Sequence, residues 1–188
     1  MIGLVIPAVA VAVAVALLQR GTGGERCSVR WPGLAALALG IQLVLFNPPA
    51  DSQSWALAWG RWIYVATLLG VMAVLLRNAL VPDRARAPWL VAALGVALNL
   101  AVIVANNGLM PRSDAALAAS GGTPRRDDRL SNVAPLTAET RLAWLGDIIP
   151  EPDWLPLTNV LSVGDLLLAA GTAWALARRS MPRPSSGI

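Results

Sequence analysis

Four side chains stand out because their chemistry disagrees with their surroundings. Arg61 lies in "WALAWGRWIYVATLLGVMAVLL", Asp165 in "NVLSVGDLLLAAG", Asn99 in "LGVALNLAVIV" and Gln42 in "LALGIQLVLFN". Each is strongly polar or charged inside an apolar run. In hydrocarbon a lone Asp or Arg costs about 2.5–3.5 kcal/mol on insertion scales, so each needs a partner or a task. An Arg–Asp pair with amide neighbours satisfies its donors and acceptors inside a helix bundle and fixes helix register. The same set can instead form the floor of a cavity, binding a small polar or charged ligand or relaying a proton through Asp165. A third chemistry is acid–base work by Asp147 and Asp165 on a lipid-linked substrate, for which no residue pattern specifies a reaction.

The remaining composition removes other chemistries. With no His and one Cys, His-based zinc sites, haem on an axial His, Cys–His pairs and Ser-His-Asp triads are excluded. Cys27, in "GERCSVRW", follows no apolar lead-in of a lipid-attachment site and has no second Cys for an internal disulfide. It reads as an incidental thiol. No Gly-rich phosphate loop or metal-ligand set is visible, so neither a cofactor nor a metal is expected, and no catalytic residue is assigned. All 15 basic residues are Arg, which suggests a GC-rich bacterial genome. A net charge of +4 and a pI near 10.9 would suit a nucleic-acid binder. The arginines instead sit in short loops beside apolar runs, so no nucleic-acid partner is expected.

The elements that carry the polar residues follow from hydropathy. The chain is 56% hydrophobic and 14% charged, with a mean hydropathy of +0.59, whereas a soluble domain carries about 25% charged residues. Five apolar runs are visible, at residues 2–19, 33–47, 55–76, 87–106 and 157–177. Each approaches the roughly 20 residues that cross a bilayer, the second being short. The expected fold is an all-α integral membrane protein, one membrane domain forming a bundle of five transmembrane helices. The first run has no basic lead-in and is followed by Arg20, so it reads as a retained helix rather than a cleaved signal peptide. Pro7, near its start, is tolerated there or bends it slightly.

Arginine placement orients the bundle. The segments after runs one, three and five hold nine Arg against two acids, and the opposite side holds five Arg against eight acids. Positive charge gathers on the cytoplasmic side, which places the N-terminus outside and the C-terminus inside. The expected location is the bacterial cytoplasmic membrane. The expected partners are the lipid bilayer and a second copy or another membrane protein.

That topology puts the polar residues in one layer. At about 1.5 Å per residue, Arg61 and Asp165 lie roughly 9 and 12 Å below the outer ends of their helices. Asn99 lies roughly 10 Å down its own, and Gln42 is a little shallower. The long outer loop, residues 107–156, has a polar middle, "SGGTPRRDDRLSNVAPLT", that reads as mobile. After it, "TAETRLAWLGDII" reads as a short helix capped by Thr137, with Leu142, Leu145 and Ile149 on one face. With Trp144 and Trp154 nearby, it would rest on the bundle or lie at the membrane surface. Trp55, Trp59 and Trp62 suit an aromatic belt, and "LLGVM", "LGVALN" and "AAGTA" offer small residues for close helix contact.

Three ordered motifs add a resemblance. "ANNGLMP" after run four, "WLGDIIP" before run five and "TNVLSVGDLLLAAG" opening run five resemble a family of small bacterial multi-pass membrane proteins known only as a domain of unknown function. The likeness extends to the first two runs and their basic loop. It implies shared roles for Asn107, Gly108, Met110 and Pro111, then Gly146, Asp147 and Pro150, then Asn159, Ser162, Gly164 and Asp165. It implies no activity, substrate or cofactor. In this pattern Gly108 and Gly146 permit tight turns, Pro111 and Pro150 stop helices, Asn159 and Ser162 cap run five, and Asp147 meets backbone donors or Arg61. The leading expectation is a non-enzymatic accessory or scaffold component of the cell envelope. The alternative is a small oligomeric transporter or ligand-binding membrane protein that uses the Arg61, Asn99 and Asp165 layer.

Overall fold

Pro32 opens helix α1 (Pro32–Leu45) at a first-turn position, where its missing N–H leaves no hydrogen bond unmade. The computed structural model describes residues 29–47, 49–81, 86–124, 128–152 and 159–180. After α1 come α2 (Ser54–Ala79), α3 (Arg86–Ala105), α4 (Asp114–Ala119) and α5 (Val163–Ser180). The chain is mostly helical, but these five helices are not the five expected runs. The expected run 2–19 lies outside the described residues, as do Pro7, Arg20, Cys27, residues 125–127, Trp154 and the tail beyond Ser180. Helix α4, six residues long, stands where none was expected.

Among the described residues two helices, α2 with 26 residues and α3 with 20, are long and apolar enough to cross a membrane, while α1 and α5 are shorter apolar helices. Their ends follow local chemistry. Asn107 takes a left-handed φ of 57° and Gly108 a φ of 84°, and Gly108 N–H donates back to Ile103 O at 2.8 Å. This is the six-to-one bond of a Schellman C-cap, so "ANNG" is the stop signal of α3. At the end of α2, the Asn78 side chain bonds both Arg30 N–H (2.9 Å) and Arg30 O (3.0 Å). It thereby holds the chain entering α1 as a strand partner would. The Arg77 guanidinium lies 5.9 Å from the Trp31 ring beside it, within cation–π range.

Helix α2 packs on α1 and α3, and α3 packs on α5. The α3–α5 contact brings backbone against backbone. A Cβ on Gly95 would meet Leu168 N at 2.6 Å, one on Gly164 would meet Gly95 O at 2.6 Å, and one on Gly171 would meet Pro88 O at 2.8 Å. Small residues at helix spacing are what permits this approach in helix bundles that lack a strong solvent-driven term.

The described residues between 106 and 162 form a crown on the ends of the helices. Strand β1 (Met110–Arg112) pairs in parallel with β2 (Val133–Pro135), and β3 (Ile149–Pro150) pairs antiparallel with β4 (Val160–Leu161). A parallel bridge from Arg112 to Asp147 joins the two sheets. The stretch expected to be mobile is therefore structured at residues 128–136. Leu130 N–H donates to Asp51 O at 2.7 Å, its side chain fills the space left by Gly60, and Arg129 stands 3.6 Å from the buried Asp51 carboxylate.

The expected helix over Thr137–Ile149 does not form. Only Ala143–Leu145 makes a 3-10 turn, preceded by Leu142 at a φ of 52°. The backbone is taken by tertiary partners: Arg141 N–H and O both bond the Asn106 side chain, at 3.0 and 2.8 Å, and Asp147 N–H donates to Pro111 O at 2.8 Å. Thr137 is no helix cap; its N–H donates to the Thr140 hydroxyl at 2.8 Å. Pro111 and Pro150 lie within β1 and β3 rather than stopping helices.

Candidate functional site

Asp165 sits in the first turn of its helix rather than deep within it. The expected run from residue 157 would have placed Asn159 to Ser162 in helix, but Val160 and Leu161 pair with β3, and α5 starts at Val163. "SVGD" is the reason. Asp165 N–H donates to Ser162 Oγ at 3.0 Å, and Ser162 N–H donates to Asp165 Oδ2 at 3.0 Å. This reciprocal pair is a capping box, with Asp in place of the usual Glu three residues after the cap. The helix N-terminus adds a favourable field for the carboxylate.

The second oxygen of Asp165 faces α3. Asn99 Nδ2 donates to Asp165 Oδ1 at 2.9 Å, and Ser162 Oγ donates to Asn99 Oδ1 at 2.9 Å. Asn99, Ser162 and Asp165 are all buried, and together they close a ring of hydrogen bonds between α3 and α5. Gly164 makes the ring possible, since a Cβ there would collide with the Asn99 amide. A carboxylate supplied with two donors, one of them a backbone amide, needs no cation to be tolerated.

Of the four expected layer residues, the structure brings two together. Arg61 does not pair with Asp165. Its Nη1 donates to Asn107 O at a long 3.4 Å, and its stem lies on Gly108, where a Cβ would meet three Arg61 carbons at 3.2 Å. The Schellman turn of α3 is therefore Arg61's seat. Gln42 belongs to a separate α1–α2 contact: its Nε2 donates to Thr67 Oγ1 at 2.8 Å, and Thr67 Oγ1 donates to Tyr64 O at 2.7 Å.

The motif residues converge on the crown. Met110 N–H donates to Asn132 O at 2.7 Å, and the Asn132 side chain bonds Tyr64 of α2. Gly146 is extended, with a φ of −68°, so no special conformation requires it. Close approach does, because a Cβ there would meet Pro111 O at 2.6 Å. Asn159 lies in the loop before β4 and accepts from Glu151 N–H through its backbone oxygen at 3.0 Å.

Three carboxylates, Asp147, Glu151 and Asp165, share this junction with Arg112. Burial raises the Asp147 carboxyl well above the usual carboxylate range; the Asp165 charge adds to the effect and Arg112 opposes it. Burial also raises the Glu151 carboxyl, with the Asp165 charge again adding. Glu151 Oε2 and Arg112 Nε are buried without hydrogen-bond partners. Asp147 is joined to Arg112 by the backbone bridge and lies within reach of its charge, whereas Arg61 turns to Asn107. Among the described residues no group of His, Cys, Asp or Glu is arranged to hold a metal ion. Sequence reasoning missed Tyr64, Asn132, Arg112, Glu151 and the two amide clamps Asn78 and Asn106. Ser162 was expected as a cap, and the Ser-x-x-Asp spacing was the available sign that α5 starts just after it, at Val163.

Neither a curated protein nor a solved structure matches the chain. Residues 26–177 match the model of a family of unknown function, DUF5317, a span that contains all three motifs and every residue of the junction. The chain belongs to that family.

Proposed function

We propose that this chain is a multi-pass integral protein of the bacterial cytoplasmic membrane, with its N-terminus outside, its C-terminus inside and its crown on the outer face. In this reading it acts without catalysis, as an accessory or scaffold component of the cell envelope, and the crown is the surface it presents. The apolar helices and the bias of arginine toward one side support the topology. The observation that carries the scaffold reading is the closed Asn99–Ser162–Asp165 ring. The groups a relay or carrier would use are bonded to each other and fix the α3–α5 register.

A second reading, a small oligomeric transporter or ligand-binding membrane protein, draws on the unpartnered Glu151 Oε2 and Arg112 Nε beside Asp147. The two separate in detergent-solubilised full-length protein. The scaffold reading expects photo-crosslinkers at exposed crown positions such as Ser131 and Glu139 to capture another envelope protein. It also expects no change in thermal unfolding with amino acids, inorganic phosphate or mono- and divalent cations. A saturable thermal shift with one of these, lost in Asp147→Asn, would replace it with the ligand-binding reading.

A further inference from the structure

The crown carries an apolar edge that nothing within the described chain covers. Trp144 is 65% exposed, Leu142 40% and Ile148 37%, whereas Leu145 beside them is 3% exposed and joins the core. The 3-10 turn is therefore two-sided, with Leu145 facing in and Leu142 and Trp144 facing out. Its height is fixed by Asn106, which follows the last residue of α3 and holds both backbone groups of Arg141. The turn that carries Trp144 is thereby tied to the end of α3 and packs against that helix. Trp55 and Trp59, in the first turns of α2 at the crown-bearing end, are also exposed, at 46% and 65%. The Arg141 backbone is held, but its guanidinium has no hydrogen bond or ion pair among the described residues.

We infer that this edge is a membrane-docking surface. Leu142, Trp144 and Ile148 enter the headgroup region of the outer leaflet, and Arg141 meets lipid phosphate. The inference rests on the proposed membrane-spanning topology and adds a second attachment of the crown, to the bilayer as well as to the helix ends. Two features select lipid over a protein occupant. The edge is tied to the same crown-bearing end of the bundle as the exposed indoles of α2, and interfacial aromatic belts gather indoles at one end in this way. An Arg whose guanidinium has no partner among the described residues, beside large apolar side chains, also matches an interface that is apolar below and anionic above.

The test uses full-length Cys27→Ser protein in phosphatidylcholine–phosphatidylglycerol vesicles, with a nitroxide on Trp144→Cys or, independently, Ile148→Cys. Trp59→Cys and Glu139→Cys serve as membrane and aqueous references. Spin relaxation by oxygen and by a water-soluble nickel chelate reports the surroundings. The inference expects positions 144 and 148 to resemble 59, open to oxygen and shielded from nickel. It is overturned if both resemble 139, or if both are shielded from oxygen and nickel alike, which would mean a protein covers the edge. If position 59 itself resembles 139, the membrane topology fails and this inference fails with it.

Discussion

Removing the Asp165 carboxylate tests whether it is bonded to α3 or to α2. In Asp165→Ala, Asn99 Nδ2 and Ser162 N–H lose acceptors that stand at 2.9 and 3.0 Å. Each becomes a buried orphan donor, costing about 1–3 kcal/mol. The single variant should therefore lose about 2–6 kcal/mol, with the lower end expected where water reaches the helix end. A double-mutant cycle assigns the loss. Asn99→Ala combined with Asp165→Ala should show a coupling of about 1–2 kcal/mol, within the range of polar helix contacts in bilayers and of neighbours in one network. Arg61→Ala combined with Asp165→Ala should be additive within about 0.5 kcal/mol. The assay is SDS-driven unfolding of the full chain in mixed micelles, followed by circular dichroism. An additive Asn99 cycle, or an Arg61 cycle above about 1 kcal/mol, would refute the hydrogen-bond assignment.

Two further outcomes follow from the packing and the buried charges. Gly171→Ala should destabilise by about 1–3 kcal/mol in the same assay, because its Cβ would meet Pro88 O and the Ala92 backbone. Gly40→Ala in α1, where nothing lies within 4 Å, should instead stabilise by about 0.5–1 kcal/mol; equal effects at the two sites would contradict the α3–α5 contact. Asp147 and Glu151 have raised folded-state pKa values, so their contribution to stability is complete below the ordinary carboxylate pKa, about 4, and is lost as pH rises through the folded value. The crown should thus resist proteolysis better at about pH 5 than at about pH 8. Asp147→Asn should flatten the difference, and greater resistance at the higher pH would show that the sign is wrong.

The ordered apolar runs made α1, α2 and α3 legible, because hydropathy is summed over whole helices and tolerates a local error. Asn107 and Gly108 were legible as a turn, since a left-handed C-cap has its own residue signature. The crown was not. Its strands are two or three residues long, too short for periodicity, and they exist only through tertiary pairing between segments far apart in sequence. Arg61 and Asp165 looked like a pair because similar depth was inferred from helix boundaries, and the start of α5 was placed too early. Depth also says nothing about azimuth. Gln42 and Asn99 lie in α1 and α3, and each took a partner on its neighbouring helix, Thr67 on α2 and Asp165 on α5. The Ser162–Asp165 capping box was present in the sequence, but the apolar residues around it matched the pattern of a membrane span. Asn78 and Asn106 gave no sign of clamping, because the backbone each one holds is distant in sequence.

Cysteine accessibility in intact cells tests the central claim, a multi-pass chain whose crown faces outward. In the Cys27→Ser background, single cysteines at Ser131 and Glu139 report the crown, and a cysteine at Leu80 reports the opposite end of α2. A membrane-impermeant maleimide should label 131 and 139 in whole cells, and 80 only after the membrane is opened. Labelling of 80 with protection of 131 and 139 would invert the topology, and equal labelling of all three in membrane-free extract would remove the protein from the bilayer altogether.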